Sequence, residues 1–177
     1  RENVASRRGA TRAQPEMSAQ QTDAAISRSV TTIRAASAAI ALTAPDSNVC
    51  ERTLLRLARA QTPAGRFALY DGASRLRCAT PGFIPPPVPA NPAGRNSLIA
   101  ISPDGEMLRF ALSDDDGHIE GFGEYSRAVL AEIAAGPGVI GDFDLELRQG
   151  DRVMRPRDGF EGGPLIRSVA LRETVLG

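Results

Sequence analysis

Between Met17 and Ala44 the chain is alanine-rich, and Ile26, Val30, Ile33, Ser37 and Ile40 recur at intervals of 4, 3, 4 and 3 residues. That spacing returns to one side of a helix at each turn, so it predicts a single long helix with one apolar seam. The seam packs either on the rest of its own domain or on the same helix of a second protomer. Pro45 closes the helix because its ring cannot continue the hydrogen-bond ladder. Residues 1–16 are polar and aperiodic and read as a flexible or helical lead-in.

A second helix is expected from Asn48, where Asn48 and Glu51 have capping-box spacing, through Leu54, Leu55 and Leu57 to Ala60. Pro63 and Gly65 end it. The period then switches to alternation: Phe67–Tyr70, the turn Asp71-Gly72 and Leu76–Thr80 predict a hairpin. The stretch from Pro81 to Pro92 holds too many prolines for a helix or a central strand and must run as an extended connection over the surface or across a pocket. Beyond it Ser97–Ser102, Glu106–Leu112 and His118–Gly123 alternate again, joined by Pro103-Asp-Gly105 and Asp114-Asp-Asp-Gly117. A short helix is expected over Glu124–Ala135, with Tyr125, Val129, Leu130 and Ile133 on one side and Gly136-Pro137 at its end. Asp142–Leu147, Arg152–Arg155 and Leu165–Leu171 are the last strand candidates.

These elements define an α+β fold: a long N-terminal helix packed on an antiparallel five-stranded sheet, with an additional β unit at the C-terminus. Three segments follow: lead-in and long helix at 1–44, the sheet domain at 45–136, and a β extension or reduced second unit at 137–177. With 177 residues and 42% hydrophobic content, one core is affordable and two full ones would be crowded.

Composition removes many functions. All 21 basic residues are arginine, so there is no lysine for a Schiff base, a phosphate-binding loop or a general base. One histidine and two cysteines exclude a zinc-finger cluster and a two-histidine metalloprotease motif, and no cofactor is expected. A formal net charge of +0, scattered arginines and 5% aromatic residues argue against nucleic acid as a partner. No run of apolar residues approaches the roughly 20 needed to cross a bilayer. The chain opens without methionine and neither end carries a stop signal, so it reads as an excerpt whose flanking membrane segments lie outside it.

The order of long helix, short helix, hairpin, irregular excursion and three-strand meander resembles the extracytoplasmic PAS-like, or Cache, sensor domains. Cys50-Glu-Arg-Thr-Leu-Leu on the second helix, Phe67-Ala-Leu-Tyr-Asp-Gly and Leu76-Arg-Cys-Ala-Thr carry the likeness, which covers residues 17–136. More narrowly, the chain is similar to the periplasmic regions of alphaproteobacterial sensor histidine kinases, including those feeding the general stress response. The resemblance implies a periplasmic location in an inner-membrane protein, a ligand or periplasmic partner protein, and kinase activity in domains outside this chain. The tail from 137 departs from a single unit of that family.

In the oxidising compartment so implied, Cys50 and Cys78 are expected to form a disulfide closing a span of 28 positions; two buried free thiols in a cytosolic protein are the alternative. The run Asp114-Asp-Asp-Gly-His-Ile-Glu120 suggests a cation, but its spacing fits no calcium loop, and a solvated turn accounts for it without a metal. Arg109, His118 and Glu120 form one patch if their strands pair across the turn, and in the resembled family such patches line the ligand pocket. Tyr70 and Arg95 join them as ligand-binding candidates because each borders the proline-rich excursion. Solvated outer-face residues are the competing account. Gly121-Phe-Gly123 lacks the third glycine of a dinucleotide fingerprint.

The leading expectation is therefore a sensor without catalytic residues of its own, in which ligand or contact shifts the long helix against the sheet. A protein-interaction module without a small-molecule ligand is the second reading. A secreted hydrolase using a serine, His118 and an aspartate is the third, and it lacks a Gly-x-Ser-x-Gly elbow.

Overall fold

The computed structural model describes residues 3–42, 47–60, 65–87, 97–136, 144–157 and 166–170. Pro45, Pro63, Arg95 and Pro137 lie outside these. Helix α1 spans Asn3–Leu42, so the polar lead-in is helical and continuous with the alanine-rich segment. Ile26, Val30, Ile33 and Ile40 are all buried, and they meet Phe67, Leu69, Leu108, Phe110, Leu112 and Tyr125 of the sheet. The chain's own sheet thus occupies the seam. Burying a side chain as completely as Ile33 contributes about 1.5–3 kcal/mol. The polar residues on the same side stay satisfied: Thr22 Oγ1 donates to the Ser18 carbonyl, and Ser18 Oγ to the carbonyl of Ala134.

Helix α2 spans Ser47–Ala60, one residue earlier than expected, which puts Asn48 inside the first turn instead of at the cap. It buries Cys50, Leu54 and Ala58, four residues apart, as a helix with one apolar face must. Cys50 is joined by a disulfide to Cys78, with Cα atoms 6.0 Å apart, which fixes α2 to the edge of the sheet.

The main sheet contains β1 (Arg66–Tyr70), β2 (Leu76–Ala79), β3 (Ser97–Ile101), β4 (Met107–Ser113) and β5 (Ile119–Ser126). All pairs are antiparallel and the order is β2-β1-β5-β4-β3, so the first hairpin joins the meander through β1 and β5. Leu108, Phe110 and Leu112 of β4 face α1, while Ala68, Ala111 and Phe122 face the other side with Phe83. Gly121 lies beneath Ile33, and a Cβ there would collide with the Ile33 side chain. Of the two glycines read above as a broken dinucleotide motif, Gly121 is thus what lets α1 approach β5, while Gly123 leaves room for the rings of Phe110 and Phe67.

Helix α3 covers Arg127–Ala134, not Glu124–Ala135. Strand β5 instead continues through Glu124 and Tyr125, which pair with Arg109 and Leu108 of β4. Ser126 is the N-cap, its hydroxyl accepting from the Val129 amide at 3.2 Å. Pairing with two neighbouring strands and burial of Tyr125 outweigh the helical spacing of Tyr125 with Val129.

Strands β6 (Asp144–Gln149), β7 (Arg152–Arg157) and β8 (Ile166–Ala170) form a second sheet of order β7-β6-β8, in which β6 and β8 run parallel. Leu147 and Met154 belong to the same core as the α1 seam. The Gln149 side-chain amide accepts from the Ile101 amide at 3.0 Å and donates to the Ile99 carbonyl at 2.6 Å; Arg152 Nη1 donates to the Ile101 carbonyl at 2.8 Å. These side chains stand in for the backbone of a further strand and close the edge of β3.

Candidate functional site

Among the described residues, two concavities that border the main sheet bear on function. The first lies under the strap Pro81–Pro87. Phe83 stacks on Phe122 with ring centroids 6.1 Å apart, and the Arg66 guanidinium stands 5.4 Å from the Phe83 centroid. Beside them the buried carboxylate of Glu124 binds Arg66 Nη2 at 2.6 Å through one oxygen and Arg109 Nε at 3.4 Å through the other. The cavity, lined by Pro86, Pro87, Leu98, Arg109, Phe122 and Arg152, holds about 150 Å³. That is below the roughly 300–1,000 Å³ of ordinary small-molecule sites, and the nearby Glu124 carboxylate is already paired twice.

The second concavity is a cleft of about 520 Å³ where the last turns of α1 meet the β1–β2 hairpin and the β4–β5 turn. Ser37 and Ile40 form one wall; Leu69, Tyr70, Asp71, Leu76 and Arg77 form the next; Asp114 and Glu120 complete it. Arg77 Nη1 donates to the Ile40 carbonyl at 3.3 Å, tying β2 to the end of α1. Asp71 accepts the amides of Ala73 and Arg75, each at 2.9 Å, which shapes the hairpin turn. The amides of Arg75 and then Ala73 hold the Asp71 carboxyl below the usual carboxylate range. At Asp114 desolvation pushes upward, but the hydrogen bonds from the His118 amide and ring outweigh it and the carboxyl lies low. Both aspartates are therefore charged at neutral pH. Desolvation raises the Tyr70 phenol, which stays protonated.

Tyr70 and Glu120 share this cleft, and His118 sits on its adjoining turn, with Nδ1 3.2 Å from Asp114 Oδ2. Arg109 does not join them. It lies opposite Glu124, whereas Ser113 pairs with Ile119 across an irregular step, so the register separates Arg109 from the turn residues. The expected single patch of Arg109, His118 and Glu120 is thus replaced by two sites on different parts of the sheet. Arg95 lies outside the described residues. Ligand atoms of Asp114, Asp116 and His118 come within 4.8 Å of one another, but the contacts of Asp114 with His118 are those that close the turn.

Sequence reading missed Arg66, Glu124 and Arg77. Arg66 precedes the first obvious alternation, Glu124 falls in a segment with helical spacing, and Arg77 lies in the Leu76-Arg-Cys-Ala-Thr run without a functional role implied for it. The one available signal was a charged residue alternating with buried ones on each strand.

No family model, curated protein or solved structure matches the chain. Among the described residues no helix is long and apolar enough to cross a membrane.

Proposed function

We propose that the chain is the periplasmic input domain of a transmembrane sensor histidine kinase, with a PAS-like (Cache) fold that detects a ligand or partner and relays it through α1. The observation that carries this reading is the cleft walled on one side by the end of α1 and on the other by the sheet, with Arg77 bonded to the Ile40 carbonyl between them. A ligand seated there touches both bodies at once, so differential affinity for two helix positions would bias them. The order of helices and strands supports the family likeness, and the disulfide between Cys50 and Cys78 suits an oxidising compartment. Phosphoryl transfer would belong to domains outside this chain.

The test is Arg77→Met in the full-length protein reconstituted in vesicles. Basal autophosphorylation should change severalfold while the isolated domain stays folded. Unchanged output, or a full-length protein without a membrane span beside this chain, would overturn the reading.

A further inference from the structure

We infer that the cleft at the end of α1 binds a small organic ammonium ion, a primary amine with a short apolar tail, held between Glu120 and the carbonyl end of the helix. Three features of different origin make the cleft attractive to a cation. Helix α1 has no basic residue in its last turn, so no cationic side chain of that turn offsets the partial negative charge of its carbonyl end. Arg77 from β2 already answers that field at the Ile40 carbonyl, which shows what the helix end favours.

Secondly, Glu120 is half-buried on the cleft wall and has no hydrogen bond or ion pair among the described residues. A neutral or anionic ligand would strip water from it without compensation, whereas an ammonium group supplies charge-assisted hydrogen bonds. Asp71 is already paired with Arg75, Nε to Oδ2 at 2.9 Å, and Asp114 with the His118 ring, so Glu120 is the carboxylate left for a ligand on the described wall, where Arg77 is the one cationic side chain.

Thirdly, Ile40, Leu69 and Leu76 give the cleft an apolar surface beside these groups, and about 520 Å³ falls within the range of small-molecule sites. Inorganic cations would leave that surface unused. An alkyl or aryl tail would cover Leu76, one of the exposed large hydrophobic side chains at 52% exposure. The consequence for signalling rests on the sensor reading above: an ammonium at the Ile40 carbonyl competes with Arg77 and so alters the link between α1 and β2. The binding itself does not depend on that reading.

The experiment is calorimetric titration of the disulfide-bonded chain, near neutral pH, with pentylamine hydrochloride, sodium pentanoate and 1-pentanol. Pentylamine should bind at least tenfold more tightly than the other two, and Glu120→Gln should weaken it roughly tenfold, the loss of one hydrogen bond to a charged group. Glu132→Gln, on the exposed side of α3, should leave binding unchanged. Equal binding of pentanoate, an amine affinity indifferent to Glu120→Gln, or no amine binding would each overturn the assignment. Amine binding that leaves kinase output of the full-length protein unmoved would uphold the site and sink the sensor reading instead.

Discussion

The hydroxyl of Ser29 on α1 is hydrogen-bonded to the phenol of Tyr125 on β5 inside the buried helix–sheet interface. Ser29 also reaches the Ala25 carbonyl at 3.0 Å, and Tyr125 packs edge-on against Phe67, so the pair joins helix and sheet at a point that water does not reach. Ser29→Ala removes this bond and should cost about 0.5–1.5 kcal/mol, whereas Ser29→Ala with Tyr125→Phe should cost less than the two single changes summed. Desolvation raises the Tyr125 phenol above its ordinary value, with the Ser29 bond and the Arg28 charge offsetting part of the rise. A folded-state pKa above the unfolded one of 10.0 means that this contribution is intact below pH 10.0 and is lost as pH climbs toward the folded value. Urea unfolding of wild type and Tyr125→Phe across that range should show the steeper alkaline decline only in the wild type.

Along α1, Val30 and Ile33 are 3% and 1% exposed, while Thr31 between them faces solvent. Val30→Asp or Ile33→Asp places a charge without a partner in the core and should cost about 3–5 kcal/mol, against about 0.5 kcal/mol or less for Thr31→Asp. Thermal melting of a charge scan over residues 26–40 should repeat with a period of three to four residues. A flat profile would show that the seam does not hold the helix.

The bond between Cys50 and Cys78 closes a span of 28 residues and anchors α2 to an edge strand. Replacing both cysteines by serine should lower stability by about 2–4 kcal/mol through the freer unfolded chain. Thiol titration of protein made under oxidising conditions should find no free thiol, and reduction should lower the melting temperature of the wild type but not of the double variant.

Glu146 on β6 is buried and is bridged by Arg148 and by Arg155 Nε at 3.0 Å. Burial pushes its carboxyl up, but the hydrogen bonds and charges of the two arginines prevail and leave it below 4.5. A depressed folded-state pKa stabilises the fold above the unfolded value, and this contribution disappears as pH falls through the folded one. Glu146→Gln should cost about 1–2 kcal/mol at neutral pH, since both arginines are more than half exposed, and should flatten the acid side of the stability profile. Denaturant melts from pH 7 downward would measure both.

The α1 seam, the first hairpin and the meander were legible in the sequence because each depends on a local period or a local turn. Ile26, Val30, Ile33 and Ile40 recur at helical spacing whatever they pack against, and Asp71 shapes its turn with amides two and four residues away. Only the tertiary structure decided that the seam packs on its own sheet, that β5 runs on through Tyr125, and that Arg109 meets Glu124 instead of Glu120. The same holds for the capping of Ile99 and Ile101 by Gln149 and for the cleft in which Tyr70 and Glu120 face the end of α1. These rest on the register between strands distant in sequence, where a shift of one residue sends every side chain to the opposite face, and no local spacing along a single strand encodes that choice.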